Sequence, residues 1–344
     1  MQANWKSNRI LSNYYQCPNS GQLHLLYEYR INSQALIYDN IRLHKCEGML
    51  DDHLLDILPF SGRTSRLKLS IAGTSCSIIS QDSYFINVLQ EYYRRFESSG
   101  RAIYEIVLQI VPINLFSQDD ISPIHYPPVK RVNYGNNFLL KQIINPFIAV
   151  ANTSSKKVLV KMEPNQACFD IFLRMLYTLI LAEEGGLLLH GYTNNEKGRA
   201  NVFFYPPDNG EPTVARLSKK FNFFTDEQII IKPHKNRFRV YQTPFSTEYG
   251  ADRTNSRALL QGIYSLKDGQ SDIILGLDKI KAMMSLYSCV SFFTDDSRLL
   301  RRIFTTCCNI IDTVPAYELN IHPDWPSWPT MIKLDSDRYM PVHT

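Results

Sequence analysis

The chain has 344 residues, of which 44% are hydrophobic and 20% charged, a balance typical of soluble globular proteins and enough for one large domain or two ordinary ones. Its formal charge is +4, and no stretch concentrates cations densely enough to predict a nucleic-acid interface. No long uncharged apolar run and no secretory pattern occur, and the 7 cysteines are an odd number, so we expect a cytoplasmic protein with reduced thiols and no membrane span.

Residues 1–64 are predicted to form a strand-rich N-terminal segment with a hairpin from Leu25–Ile31 and Ala35–Tyr38. Two cysteines and two histidines flank this hairpin, which could bring them together as a Cys2His2 zinc site. Their spacing matches no common zinc motif, and the alternation of apolar and polar residues also explains an ordinary hairpin. A zinc-stabilised interaction module and a metal-free hairpin are thus both open for Cys17, His24, His44 and Cys46.

Residues 65–135 are predicted to form a small α+β domain that ends in an exposed proline-rich loop at 112–135. Asp82-Ser83 can cap a helix, because short polar side chains accept hydrogen bonds from the first backbone N–H groups of a helix. The predicted elements in chain order are strands Arg66–Ala72 and Ser75–Ser80, a helix continuing to Phe96, and a strand at Ala102–Val111.

Residues 136–322 are predicted to form a larger α/β domain. The helix Cys168–Ala182 is apolar nearly all round, which is typical of a helix that covers a sheet. Around it we predict strands at Phe138–Ile143, Phe147–Ala151, Lys157–Met162, Ala258–Leu266, Ile273–Leu277 and Tyr317–Ile321, and helices at Asp278–Val290 and Asp295–Thr313.

The most informative stretch is 186–250. An apolar strand ends at His190-Gly191, and a polar excursion at Asn194–Gly198 leads into a second strand, Ala200–Phe204. A loop and a helix-like segment follow, and the acidic pair Asp226-Glu227 then opens a strand at Gln228–Ile231.

This order of elements resembles the HPr kinase/phosphorylase family, whose P-loop fold is shared with phosphoenolpyruvate carboxykinase. Members carry a histidine-glycine strand end, a second strand, a GxxGxGKS/T loop, a helix and an acidic pair. The likeness extends over residues 65–322 and is specific at 186–250. It implies a mixed α/β fold, with an HPr-kinase/PEP-carboxykinase-like mixed sheet and flanking helices, preceded by a smaller α+β N-terminal domain.

The phosphate-binding residues of the family's loop are replaced in this chain. A gapless alignment puts Tyr205 and Asp208 on the first two glycines, Glu211 on the lysine and Pro212 on the serine/threonine. Only two residues suit the family pattern, namely Gly210 on the third glycine and Thr213 after it.

These replacements disfavour a bound triphosphate on physical grounds. A phosphate cradle needs glycines whose N–H groups point at the anion and a lysine that neutralises it. Two unit charges ~4 Å apart at an effective dielectric near 20 interact by about 4 kcal/mol, so a carboxylate at Glu211 in place of the lysine costs several kcal/mol. Pro212 also lacks an N–H donor. The loop therefore predicts a well-capped helix entry without nucleotide.

In the resembling kinases, the strand-end histidine and the acidic pair orient and deprotonate the acceptor hydroxyl. The resemblance implies those roles, vestigial or alternative, for His190, Asp226 and Glu227. Glu227 stands where the family usually has aspartate. The residues alone equally allow His190 to be a hydrogen-bonded core histidine and Asp226 a strand-end residue.

Residues 323–344 form a tail in which Trp325 and Trp328 lie between prolines, a sequence that excludes a helix or an inner strand. The tryptophans can pack back on their own domain or anchor in a partner's groove.

The sequence therefore predicts a non-catalytic, HPr-kinase-like protein, a pseudokinase that serves as a binding, regulatory or scaffolding subunit of a bacterial protein- or peptide-modification complex. We expect no cofactor, no nucleic acid and no membrane, a protein partner such as a catalytic paralogue or a modification enzyme, and self-association by resemblance to the family. The alternative is an active kinase that uses ATP and Mg with a non-standard phosphate cradle, through His190 and Asp226 or Glu227.

Overall fold

The computed structural model describes residues 62–111, 129–132, 135–142, 145–205, 228–245, 255–268 and 273–321, and the backbone of 14–16 and 23–25. The chain divides into two compact units, Met1–Leu54 and Leu55–Thr344. In the first unit, strand β1 (Tyr14–Gln16) pairs antiparallel with β2 (Leu23–Leu25). The hairpin predicted from Leu25 onwards lies otherwise outside the described residues.

The second unit is a mixed α/β structure, as predicted, with two mixed sheets and four helices among its described residues. The first sheet has the strand order β3-β4-β5-β9-β8-β7-β6, in which only the pairs β4–β5 and β5–β9 are parallel. Its strands are β3 (Ser65–Ile71), β4 (Thr74–Ser80), β5 (Tyr104–Ile110), β6 (Val129–Val132), β7 (Asn137–Gln142), β8 (Phe147–Asn152) and β9 (Lys157–Met162). This sheet takes strands from both sides of the domain boundary predicted at 135.

Helix α1 (Ser83–Tyr92) connects β4 to β5. The predicted cap is confirmed, since the Asp82 carboxylate accepts a hydrogen bond from the Phe85 N–H at 2.8 Å. The helix is shorter than predicted because Tyr93 leaves the helical conformation, and a 3₁₀ turn at Arg94–Phe96 replaces the last turn. Tyr93 turns into the core, where its hydroxyl donates to Asp170 at 3.0 Å.

Helix α2 (Gln166–Glu184) is the buried helix predicted from its apolar surface. Asn165 caps its N-terminus, and Gly185, in the left-handed region at φ 70°, ends it. Phe172 is fully buried and contacts the rings of Phe147 and Phe169 at centroid distances of 5.7 and 5.8 Å. The aromatic cluster fixes α2 against the first sheet.

The second sheet has the strand order β10-β13-β14-β15-β12-β11, and β17 extends it by pairing with both β15 and β16. Strands β12 and β17 are parallel to β15, and the other pairs are antiparallel. The strands are β10 (Leu187–His190), β11 (Tyr192–Glu196), β12 (Arg199–Phe204), β13 (Gln228–His234), β14 (Arg237–Tyr241), β15 (Arg257–Asp268), β16 (Ile273–Gly276) and β17 (Ala316–Ile321).

The second sheet curls until its two ends meet at Gly191. Strands β10 and β11 stand at opposite ends of the strand order, yet Gly191 alone separates them in sequence. Consecutive Cα atoms are about 3.8 Å apart, so the last residue of β10 and the first residue of β11 must lie close to each other. A Cβ atom at Gly191 would lie 2.8 Å from the Phe203 carbonyl oxygen, which explains the glycine at this junction.

Three strands depart from the sequence predictions. The polar excursion at Asn194–Gly198 is largely strand, because β11 pairs with β12 along its whole length. Val129–Val132, predicted as part of the proline-rich loop, forms β6 against β7. Strand β14 was not predicted, and it pairs with both β13 and β15. In each case, hydrogen bonding to a neighbouring strand defines the strand, whereas its own apolar content does not.

Two helices cross between β16 and β17, namely α3 (Lys279–Ser288) and α4 (Ser297–Thr313). The residues predicted as their first turns are caps, since the carboxylates of Asp278 and Asp296 accept hydrogen bonds from the first N–H groups. Within the described chain, no helix combines the length and apolarity needed to cross a membrane.

The Lys232 side chain links the two sheets through hydrogen bonds. The Lys232 ammonium on β13 donates to the Ala72 carbonyl at 3.0 Å, to the Thr74 hydroxyl at 3.1 Å and to Glu184 at 2.6 Å. The Thr74 hydroxyl also donates to Glu184 at 2.9 Å. Since an ammonium group has three N–H donors, every one is used, and the strand β4, the end of α2 and the strand β13 meet at this point.

Candidate functional site

His190 lies at the end of β10, where the strand pairs with the start of β13. Its register partner is Gln228, and its backbone N–H donates to the Cys289 carbonyl at 2.9 Å. The Gln228 amide nitrogen lies 3.1 Å from Nδ1 and 3.0 Å from Nε2 of the imidazole. The side chain is thus held by hydrogen bonding, but part of its surface is open to solvent, so it is not the core histidine that the residues also allowed.

The His190 imidazole is neutral near pH 7. Surrounding protein on its covered sides, and secondarily the Arg174 guanidinium, lower its pKa from 6.5 to about 4. The Gln228 amide acts in the same direction, because its NH2 group can only donate and so needs an unprotonated ring nitrogen.

Gln228 is fixed by its own neighbours. Only 4% of its surface is exposed, and its side-chain oxygen accepts a hydrogen bond from the Ser291 hydroxyl at 3.4 Å. Its backbone carbonyl accepts from the Thr243 hydroxyl at 2.7 Å. The amide is therefore oriented with its nitrogen toward His190.

Cys289 connects His190 by hydrogen bonds to Tyr205, the first residue of the predicted phosphate loop. The Cys289 thiol donates to the Tyr205 carbonyl at 3.2 Å, while the Cys289 carbonyl accepts from the His190 N–H. Burial raises the pKa of this thiol to about 12, so it stays protonated and can donate. One residue thereby links the predicted catalytic histidine with the first residue of the predicted phosphate loop.

A buried ion pair extends the site into helix α2. Arg174 contacts Asp170 at 2.7 Å and donates to the Phe245 carbonyl at 2.9 Å. The Phe245 N–H in turn donates to the Thr243 hydroxyl at 3.2 Å, and Thr243 contacts Gln228. A continuous polar path therefore runs from Asp170 to His190.

The described residues bring together two of the predicted site residues, His190 and Tyr205. The other predicted site residues of the loop and the acidic pair lie outside the described residues; they are Asp208, Gly210, Glu211, Pro212, Thr213, Asp226 and Glu227. Gln228, which is described, directly follows Glu227 in the chain. Also outside are Cys17, His44, Cys46, the tail residues Trp325 and Trp328, and the side chain of His24. In the part of the chain that is described, no group of three His, Cys, Asp or Glu side chains could hold a metal ion.

Four residues of the site were not predicted from the sequence, namely Gln228, Ser291, Cys289 and Arg174. One signal was present, because Asp170 and Arg174 are opposite charges four residues apart within an otherwise apolar helix. Ser291 and Cys289 carried none, since they are about a hundred residues away from His190 and reach it only through the tertiary fold.

The pKa of His190 predicts how stability depends on pH. The unfolded chain binds a proton at this residue below pH 6.5, whereas the folded protein does so only near pH 4. The free energy of unfolding should therefore fall as the pH is lowered from 6.5 to 4. Urea unfolding across this range should show a shallower dependence in His190→Gln than in the wild type.

His234→Gln serves as the control, because burial and nearby cations also lower the pKa of His234, but less strongly. An identical pH dependence in the wild type and His190→Gln would contradict the assigned state of His190.

No protein-family model matches the chain. No curated protein sequence matches it either.

Proposed function

We propose that this protein is a non-catalytic, HPr-kinase-like subunit that acts by binding other proteins. The observation that carries the proposal is the substitution pattern of the loop after β12, in which Glu211 and Pro212 stand where the resembling family has lysine and serine or threonine. A carboxylate repels the triphosphate, and a proline withdraws an N–H donor.

The geometry around His190 supports the same view. The histidine side chain is engaged by Gln228, which is itself held by Ser291 and Thr243. A general base needs a phosphoryl acceptor within hydrogen-bond reach and a cradle for the nucleotide. The substitutions at Glu211 and Pro212 disfavour such a cradle, so we assign the polar cluster to the architecture of the strand ends.

Nucleotide binding provides the test. A ligand at 100 times its dissociation constant stabilises a folded protein by about 2.7 kcal/mol, which thermal unfolding readily detects. We expect the wild type to unfold at the same temperature with and without millimolar Mg-ATP. The matched variant Asp208→Gly/Glu211→Lys/Pro212→Ser restores the family residues at three of the four replaced positions, all but Tyr205, and a response confined to it would support the proposal. A clear shift in the wild type would overturn it.

A second function is favoured by one observation, namely that a neutral imidazole lies partly open to solvent beside the residue that follows the acidic pair. An active kinase that holds ATP and Mg in another way could use His190 with Asp226 or Glu227 to orient an acceptor hydroxyl. This alternative requires phosphate transfer that Asp226→Asn abolishes. Absence of transfer with any nucleotide would end it.

A further inference from the structure

Cations from two neighbouring strands and a turn gather on one face of the second sheet. Residues that are paired across neighbouring strands project to the same face. His234 pairs with Arg237, Lys232 pairs with Arg239, and Tyr241 pairs with Arg257. With Lys235 in the turn between β13 and β14, four cations lie close together. We call Lys235, Arg237, Arg239 and Arg257 the basic surface.

The electrostatics of His234 independently indicate that these cations are neighbours. Loss of solvent around the ring, and then the charges of Arg239, Lys235 and Arg257, lower the pKa of His234. Three members of the basic surface therefore act on one imidazole. Lys235, Arg237 and Arg257 are exposed, and Arg239 is half-buried, so the charges are accessible.

The positive charge of Lys232, on the same face, is neutralised by a carboxylate. Its ammonium contacts Glu184 at 2.6 Å and two further oxygen atoms. Among the described residues, no carboxylate forms an ion pair with any member of the basic surface. Like charges on neighbouring strands repel one another, so a bound anion would relieve the repulsion among these cations.

We propose that the basic surface binds an acidic segment of a partner protein. Three of its members are arginines, whose planar guanidinium groups bind carboxylates through two parallel hydrogen bonds. The inference rests on the proposed function only in taking the partner to be a protein.

The surface fits carboxylates better than nucleic acid. Four cations are fewer than the six to ten phosphate contacts of a typical duplex-binding protein. Single-stranded nucleic acid is bound with aromatic side chains on which bases stack. On the described strands β13, β14 and β15, the aromatic residues Phe238, Tyr241 and Tyr264 are all buried.

The test uses fluorescence anisotropy of a labelled oligoglutamate peptide. We expect the full-length protein to bind it, and Arg237→Glu/Arg257→Glu to weaken the affinity by about tenfold or more, because two charge-assisted contacts become repulsive. The matched control is Arg298→Glu/Arg301→Glu on α4, where both arginines are exposed and the net charge changes equally. The control should weaken binding by less than about twofold, since only the long-range field changes.

Several outcomes would overturn the proposal. They are no binding by the wild type, an equal loss in the two double variants, or tighter binding of oligonucleotides or anionic vesicles than of the peptide through the same arginines. Thermal unfolding checks that each variant is folded. If Arg237→Glu/Arg257→Glu does not fold, Arg237→Gln/Arg257→Gln replaces it, and this variant should lose an intermediate amount of peptide affinity.

The same samples keep the two proposals apart. A thermal response of the wild type to Mg-ATP with intact peptide binding would sink the non-catalytic function alone. If the wild type neither bound the peptide nor responded to Mg-ATP, only the proposal for the basic surface would be contradicted.

Discussion

Replacing Asp170 by alanine should lower the free energy of unfolding by about 3 kcal/mol, because it leaves the Arg174 guanidinium inside the protein without its carboxylate. The Asp170 and Arg174 side chains are only 10% and 23% exposed, and their closest approach is 2.7 Å. The Tyr93 hydroxyl, which donates to Asp170 at 3.0 Å, would lose its acceptor as well. Urea unfolding at neutral pH measures the loss.

The control for this experiment is Asp312→Ala, which makes the same chemical change at the surface. Asp312 pairs with Lys279 at 2.6 Å, but the two side chains are 58% and 74% exposed. Exposed ion pairs contribute at most about 1 kcal/mol, so this variant should be nearly as stable as the wild type. Comparable losses in the two variants would show that the interior pair is no more important than a surface one.

Truncating Phe172 to alanine should cost about 3–5 kcal/mol, because a large cavity would open beneath α2. The ring is 0% exposed and lies between Phe147 and Phe169. Denaturant unfolding gives the change in free energy directly, provided that the slope against denaturant stays constant.

Phe304→Ala is the companion to this variant, since Phe304 on α4 is 44% exposed and its ring makes an edge contact with Tyr287. We expect it to cost well under half as much, because the ring has less buried surface to lose. If Phe172→Ala were as mild as Phe304→Ala, the cluster around α2 would not be the centre of the core.

The sequence predicted those elements whose apolar pattern is local. The buried helix α2, the hairpin of β3 and β4 and the strands β7, β8 and β9 all lie where alternation or helical spacing placed them. The strands β6, β11 and β14 were missed because polar or basic residues make up much of each strand, and only hydrogen bonding to a neighbouring strand defines them.

The candidate site was predictable only in part, for a related reason. His190 was identified from its place at a strand end, but its contacts come from Gln228, Ser291 and Cys289, which other elements deliver. The basic surface was predictable only in part, since Lys235, Arg237 and Arg239 are close in the sequence, whereas Arg257 joins them only through the register of β14 and β15.

The closure of the second sheet at Gly191 has a kinetic consequence. The β13–β14 hairpin joins near neighbours in the chain and can form early, whereas β12 must find β15, with Arg199 opposite Leu259. Such distant pairings demand that long loops close before any contact rewards them, which slows folding. The sheet is complete only when β10 and β12 have both paired with distant strands, so refolding should proceed in milliseconds to seconds or slower, with the β13–β14 and β11–β12 hairpins acquiring amide protection before β10.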